Sequence, residues 1–109
     1  MMEKKFFILE RIRMLDLLED AKELNTYFGI KQKRQLKEQL GFSLEEKEAL
    51  EIKTEDSRIT WNTEKDEGKI IKLESYMEEI YKKLLKSKEE KQELKEDYFS
   101  IYEKIVLDK

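Results

Sequence analysis

Apolar residues recur at helical spacing towards both ends of the chain and lose that spacing in the middle. Near the N-terminus, Ile8, Ile12, Leu15 and Leu18 form a stripe widened by Leu9 and Met14, which predicts a first helix over about Lys4 to Glu19. Phe6 and Phe7 fall at its start and are expected to pack back on the core. A loop is expected around Asn25, Thr26 and Tyr27, with Gly29 as the first backbone break. A second helix follows over about Ile30 to Leu40, with Leu36 and Leu40 inward and Gly41 as its C-terminal cap. Ser43, with Glu46 three residues on, reads as a capping box opening a short third helix that ends near Leu50.

The period then shortens to two. Ile52 sits between charges, and Arg58-Ile59-Thr60-Trp61 alternates polar with apolar. Asp56-Ser57 lies between the two runs as a turn, so Glu51 to Asn62 reads as a small hairpin. After Gly68, Lys69-Ile70-Ile71-Lys72-Leu73 offers a third strand for it, because a three-stranded patch on helices is more stable than an isolated hairpin. Helical spacing returns after a second capping box, Ser75 with Glu78. Met77, Ile80, Tyr81, Leu84 and Leu85 mark a fourth helix to about Lys88, and Leu94, Tyr98, Ile101, Tyr102 and Ile105 a fifth over about Glu93 to Val106. These two are expected to form an antiparallel helical hairpin. The expected fold is therefore mainly α, an α+β chain of about five helices with a small two- or three-stranded antiparallel sheet between the third and fourth. Residues 1–109 suit a single domain.

Composition narrows the chemistry. The chain has no histidine, cysteine or proline, and 45% of its residues are charged with a net charge of −3. Imidazole acid–base catalysis, thiol chemistry and His/Cys metal sites have no residues to work with. Carboxylates are too many for any pair to stand out as catalytic, the three glycines are too scattered for a phosphate-cradling loop, and no calcium-loop spacing occurs. We therefore expect no catalytic residue, no metal site and no cofactor. No apolar run reaches the roughly 20 residues of a membrane span, and Phe6-Phe7-Ile8-Leu9 is too short for a signal peptide. A cytoplasmic setting without disulfides is the expectation.

Two charged segments are candidate contact surfaces. Lys31, Lys33, Arg34 and Lys37, preceded by Lys22, place four positive charges within seven residues, with Lys33 and Lys37 one helical turn apart. Such a cluster suits a phosphate backbone. The plainer alternative is a solvated helix face balanced by nearby acids. Glu45, Glu46, Glu48, Glu51, Glu55 and Asp56 form the opposite case, able to imitate phosphates in the basic groove of a partner, or simply to keep the surface soluble. Three helices followed by a hairpin is also the order of a winged helix-turn-helix. The third helix would then enter the major groove, but its three glutamates against one lysine repel DNA. Trp61, the one tryptophan, is either a pin between hairpin and helices or an exposed anchor. Self-assembly through the Tyr- and Leu-rich fourth and fifth helices is a further possibility.

The segments Ile8-Leu9-Glu10-Arg11-Ile12, Gly41-Phe42-Ser43-Leu44-Glu45-Glu46, Arg58-Ile59-Thr60-Trp61-Asn62 and Ser100-Ile101-Tyr102-Glu103-Lys104-Ile105 together resemble a family of small phage and prophage proteins. The resemblance implies a setting in the bacterial cytoplasm and a non-enzymatic role, in which the protein binds and modulates a host protein, as anti-CRISPR inhibitors of defence nucleases do. With that setting, the expected contact surface is the third helix and hairpin, through Glu45, Glu46, Glu48, Glu55, Asp56 and Arg58. The rival is a winged-helix-like regulator that holds nucleic acid through Lys31, Lys33, Arg34 and Lys37.

Overall fold

The first residues alternate with period two before the helical stripe begins: Met2, Lys4 and Phe6 turn one way, Glu3 and Lys5 the other. In a computed structural model that describes residues 1–109, that alternation prevails, and Met2–Phe6 is a strand (β1) rather than the opening turn of the first helix. Phe6 is fully buried, which a helical start would not have allowed alongside Ile8. The helix that follows, Ile8–Asp20 (α1), buries Ile8, Met14, Leu17 and Leu18. Its first turn has no side-chain cap of its own on Phe7. Instead Glu10 accepts a 2.8 Å hydrogen bond from the Phe7 N–H, and Asp66, far along the chain, accepts one of 3.1 Å from the Ile8 N–H.

After a turn of 3-10 helix over Lys22–Leu24, α2 runs Tyr27–Leu40. It starts three residues before Ile30 because Thr26 caps it, accepting from the Gly29 N–H at 3.0 Å. Gly29 is thus inside the helix rather than a break. A Cβ there would lie 2.7 Å from the Leu24 backbone, so the missing side chain is what lets α2 seat against the preceding turn. Helix α3, Leu44–Ala49, is capped by Ser43, whose hydroxyl accepts from the Glu46 N–H at 3.1 Å. Strands β2 (Lys53–Glu55) and β3 (Arg58–Thr60) pair antiparallel as the expected hairpin between the third and fourth helices.

Strand β4, Lys69–Leu73, does not join that hairpin. It pairs antiparallel with β1, from Met2 opposite Leu73 to Phe6 opposite Lys69, so the chain carries two separate two-stranded sheets. Apolar burial decides this: Ile71 and Leu73 pack with Met2 and Phe6 in the core, whereas the hairpin has no buried face to offer a third strand. The open edge of β4 is clasped by Gln39, whose side-chain amide accepts from the Lys72 N–H at 2.9 Å and donates to the Lys72 carbonyl at 3.0 Å. One side chain thereby does the work of a neighbouring strand.

Helix α4, Ser75–Glu90, and the short α5, Phe99–Ile105, close the core. The Ser75 hydroxyl is not the cap of α4; it accepts a 3.2 Å bond from the N-terminal ammonium, and Glu74 holds the cap position. Tyr81, Leu85, Ile101 and Ile105 are fully buried. The Tyr81 hydroxyl donates to the Met14 carbonyl at 2.9 Å, which ties α4 to α1, and burial pushes its pKa well up. The fold is mainly α, with α1, α2, α4 and α5 around one core and the short α3 outside it. No helix is long and apolar enough to cross a membrane.

Candidate functional site

From Ser43 to Thr60 the chain leaves the core. Helix α3 has no fully buried residue, and every residue of β2 and β3 is exposed, so α3 and the hairpin stand out as an arm. Local geometry shapes it. Glu51 takes a left-handed conformation (φ 56°), and the Ile52 N–H donates to the Lys47 carbonyl at 2.9 Å, the closing bond that ends a helix in a Schellman turn. The chain then enters β2, and Asp56 (φ 47°) and Ser57 (φ 66°) supply the two positive φ values that a tight hairpin turn requires. At the base, the Asn62 N–H donates to the Leu50 carbonyl at 2.9 Å and its side-chain amide donates to Glu51 at 2.8 Å.

One buried side chain fastens this arm to the body. Arg11 on α1 is 2% exposed, on the same helix face as the buried Ile8 and Met14. Its guanidinium donates to the Leu40 carbonyl at 3.2 Å, to the Gly41 carbonyl at 2.6 Å and to both Glu46 carboxylate oxygens, at 2.8 and 3.3 Å. It also lies 4.2 Å from the centre of the Phe42 ring. The last carbonyls of α2 and the first turn of α3 are thus gathered on one cation, which satisfies groups a helix end otherwise leaves unpaired. The Arg11 hydrogen bonds hold the Glu46 carboxyl below the usual range, against the opposing effect of partial burial, with Lys69 adding a weaker pull. Gly41 is extended (φ −68°), so α2 ends on Arg11 and not on a left-handed glycine.

This sorts the six acidic-surface candidates. Glu46 is turned inward and is structural. Glu45, Glu48, Glu55 and Asp56 are exposed and make no ion pair, and Arg58 is exposed and likewise unpaired. Residues 44–58 hold six acidic against three basic side chains, a net −3 that equals the net charge of the whole chain. The arm therefore carries the protein's entire excess of negative charge, and the rest of the molecule is balanced.

The basic candidates divide as well. Lys33 and Lys37 both reach back to Glu19 on α1, Lys33 at 3.3 Å, and they hold its carboxyl below the usual range, Lys37 most strongly. Lys31 and Arg34 stay exposed without an ionic partner, beside Ile30 and Tyr27, which is 87% exposed. Only half of the cluster is available to a ligand.

A cleft of about 350 Å³ lies between the arm and the body, lined on one side by Leu9, Ile12 and Arg13 of α1 and on the other by the five consecutive residues Ser57 to Trp61. Trp61 is half-buried and lines the cleft. Arg13 is fixed by Asp16 and Asp97, each at 3.0 Å. Sequence patterning did not single out Leu9, Ile12 and Ile59 as one surface. The signal was a first helix with apolar residues on more of its circumference than one core face uses.

No family model matches the chain, and neither a curated protein nor a solved structure matches it.

Proposed function

We propose that the protein is a non-enzymatic binding module that presents the α3–hairpin arm to a basic surface on a partner protein. The observation that carries this reading is the segregation of charge and exposure: the arm holds the whole net charge, and Glu45, Glu48, Glu55 and Asp56 are free of internal partners. Fields of one sign steer association and select partners of the opposite sign. A partner that ordinarily handles nucleic acid has such a basic groove, and the resemblance to small phage proteins favours a bacterial nuclease of the defence class. The DNA-reading alternative for α3 fares poorly on the same observation, since the helix that would enter the groove is the acidic one.

The test is capture from nuclease-treated bacterial lysate on the purified chain, in parallel with a variant carrying Glu45→Lys, Glu48→Lys, Glu55→Lys and Asp56→Lys. The expected result is one stoichiometric protein retained by the parent chain and lost by the variant. A Lys31→Glu, Arg34→Glu variant should keep it. Equal capture by the arm variant, or recovery of nucleic acid alone from untreated lysate, overturns the reading and moves the contact to α2.

A further inference from the structure

The hairpin has only two strands, so β3 has β2 on one side and an unpaired edge on the other. In a hairpin closed by a two-residue turn, the residues flanking the turn exchange hydrogen bonds, here Glu55 and Arg58. The next pair, Thr54 and Ile59, then aims its backbone groups outward, so the Ile59 N–H and C=O lie on the open edge of β3. The cleft is bounded by Ser57, Arg58, Ile59, Thr60 and Trp61 in succession and by no residue of β2. Side chains of a strand alternate between its faces, so lining by all three successive residues of β3, Arg58 to Thr60, means that the cleft meets the strand's edge and not one of its faces. Its opposite wall is the apolar Leu9 and Ile12 of α1.

We infer that this cleft accepts an extended segment of a partner protein as a third strand on β3. Main-chain hydrogen bonds at Ile59 would supply affinity, and side-chain pockets between β3 and α1 the selectivity, as in other cases of strand addition. The charge of the cleft states which segment. Its only charged lining residues are Arg13 and Arg58, with no acid among the eight. Arg13 is already held by Asp16 and Asp97, which leaves Arg58 unpaired at the rim. The fitting segment therefore alternates an apolar residue, seated on Leu9, Ile12 and Trp61, with an acidic residue that reaches Arg58. This docking mode deepens the proposed function and rests on the arm being the contact surface. It differs in that the acidic tip meets a basic rim while the cleft reads an acidic strand.

The experiment is a titration of the isotopically labelled full chain with an end-blocked hexapeptide alternating valine and glutamate, followed by amide and Trp61 indole NMR signals. Three controls accompany it: the valine–lysine counterpart, a version N-methylated at alternate main-chain nitrogens, and the Arg58→Glu chain. The expected result is saturable shifts confined to Ser57–Trp61 and Leu9–Arg13, with the Ile59 amide becoming slow to exchange. The lysine peptide should bind roughly two- to fivefold more weakly, an order that Arg58→Glu reverses, and N-methylation should weaken binding about tenfold. Shifts outside the cleft, an N-methylated peptide that binds as well, or a charge preference unmoved by Arg58→Glu overturns the inference. So does a concentration-dependent dimer that shifts the same amides without peptide, which would make a second copy the occupant. The peptide reports on the edge without a natural partner, so a failed lysate capture leaves this result standing and a failed titration leaves the capture standing.

Discussion

The body and the arm are built from the same charged composition and use it in opposite ways. In the body, polar groups are spent on closure. Gln39 clasps the β4 edge, Tyr81 ties α4 to α1, and Glu10 with Lys104 joins α1 to α5 at 2.7 Å while Lys104 also donates to the Lys5 carbonyl at 2.8 Å. In the arm, four acids and one arginine are left without internal partners, and no strand residue is buried. Elements with few buried contacts open at the lowest free energy, and binding surfaces are drawn from them. The difference teaches that the fold concentrates its buried contacts on one side of a joint and its excess of negative charge on the other. That joint is Arg11.

The largest expected effect comes from cutting it. Arg11→Met keeps most of the volume but leaves the Leu40 and Gly41 carbonyls unpaired and Glu46 without its cation. Breaking a buried, hydrogen-bonded pair on one side costs about 3–5 kcal/mol, a large share of the ~5–15 kcal/mol that a domain has in total. Denaturant unfolding of Arg11→Met against Arg58→Met measures it. The arm arginine, exposed and unpaired, should change stability by less than ~0.5 kcal/mol. Equal costs for the two would mean that body and arm are not distinguished by this joint.

The body was legible in the sequence where one period ruled. The stripes of α2 and α4 gave their inward faces, Leu36 and Leu40 in one and Met77, Tyr81 and Leu85 in the other, because a helix on a core shows apolar residues at one spacing only. The N-terminus misled because two periods overlap there. Met2, Lys4 and Phe6 alternate, yet Phe6 also continues the helical stripe, and only the distant Lys69–Leu73 partner makes the strand win. Helix ends were obscured for a different reason. Left-handed positions usually announce themselves as glycine. Here they are Glu51, Asp56, Ser57, Gln92 and Asp108, and Gly68 (φ 80°) is the lone glycine in that conformation. The free acids of the arm were legible as a charge run, but nothing local marked Glu46 for Arg11, thirty-five residues away.

Next in size is the arm's own side of the joint. The Glu46 carboxyl sits below its ordinary value of 4.5, chiefly through the Arg11 hydrogen bonds. A group depressed in the folded state contributes stability that is fully present above the unfolded value and is lost as pH falls through the folded one. The parent chain should therefore lose part of its stability below about pH 4.5 on this account. Glu46→Gln should be about 1–2 kcal/mol less stable at neutral pH, the scale of a hydrogen bond to a charged group that is partly solvated, and should show a flatter decline in acid. Thermal unfolding of both chains across the acid range checks this. A decline that is identical in the two would assign the acid sensitivity to other carboxylates.

The smallest effect separates the two regions most sharply, because one substitution can be made on each side. Gln92 closes α4 in a Schellman turn at φ 58°, with the Glu93 N–H donating to the Lys88 carbonyl at 2.7 Å, and Ser57 closes the hairpin at φ 66°. Both are non-glycine residues in a conformation that costs an L-residue about 1–2 kcal/mol, so glycine should relieve strain at each. Glycine also makes the unfolded chain more flexible, which offsets part of the gain, leaving about 0.5–1 kcal/mol on either side. At Gln92 that gain belongs to a helix whose buried face includes Met77, Tyr81 and Leu85, so it should appear in global unfolding. At Ser57 it belongs to a hairpin with every strand residue exposed, which opens without the core. The midpoint of global unfolding should then stay put in Ser57→Gly while hydrogen exchange at the hairpin amides slows by roughly two- to fivefold, the same free energy read locally. If Ser57→Gly instead raises the global midpoint as much as Gln92→Gly does, the arm unfolds only with the core. The free strand edge and the unpaired acids would then sit on a rigid platform rather than on a separable unit.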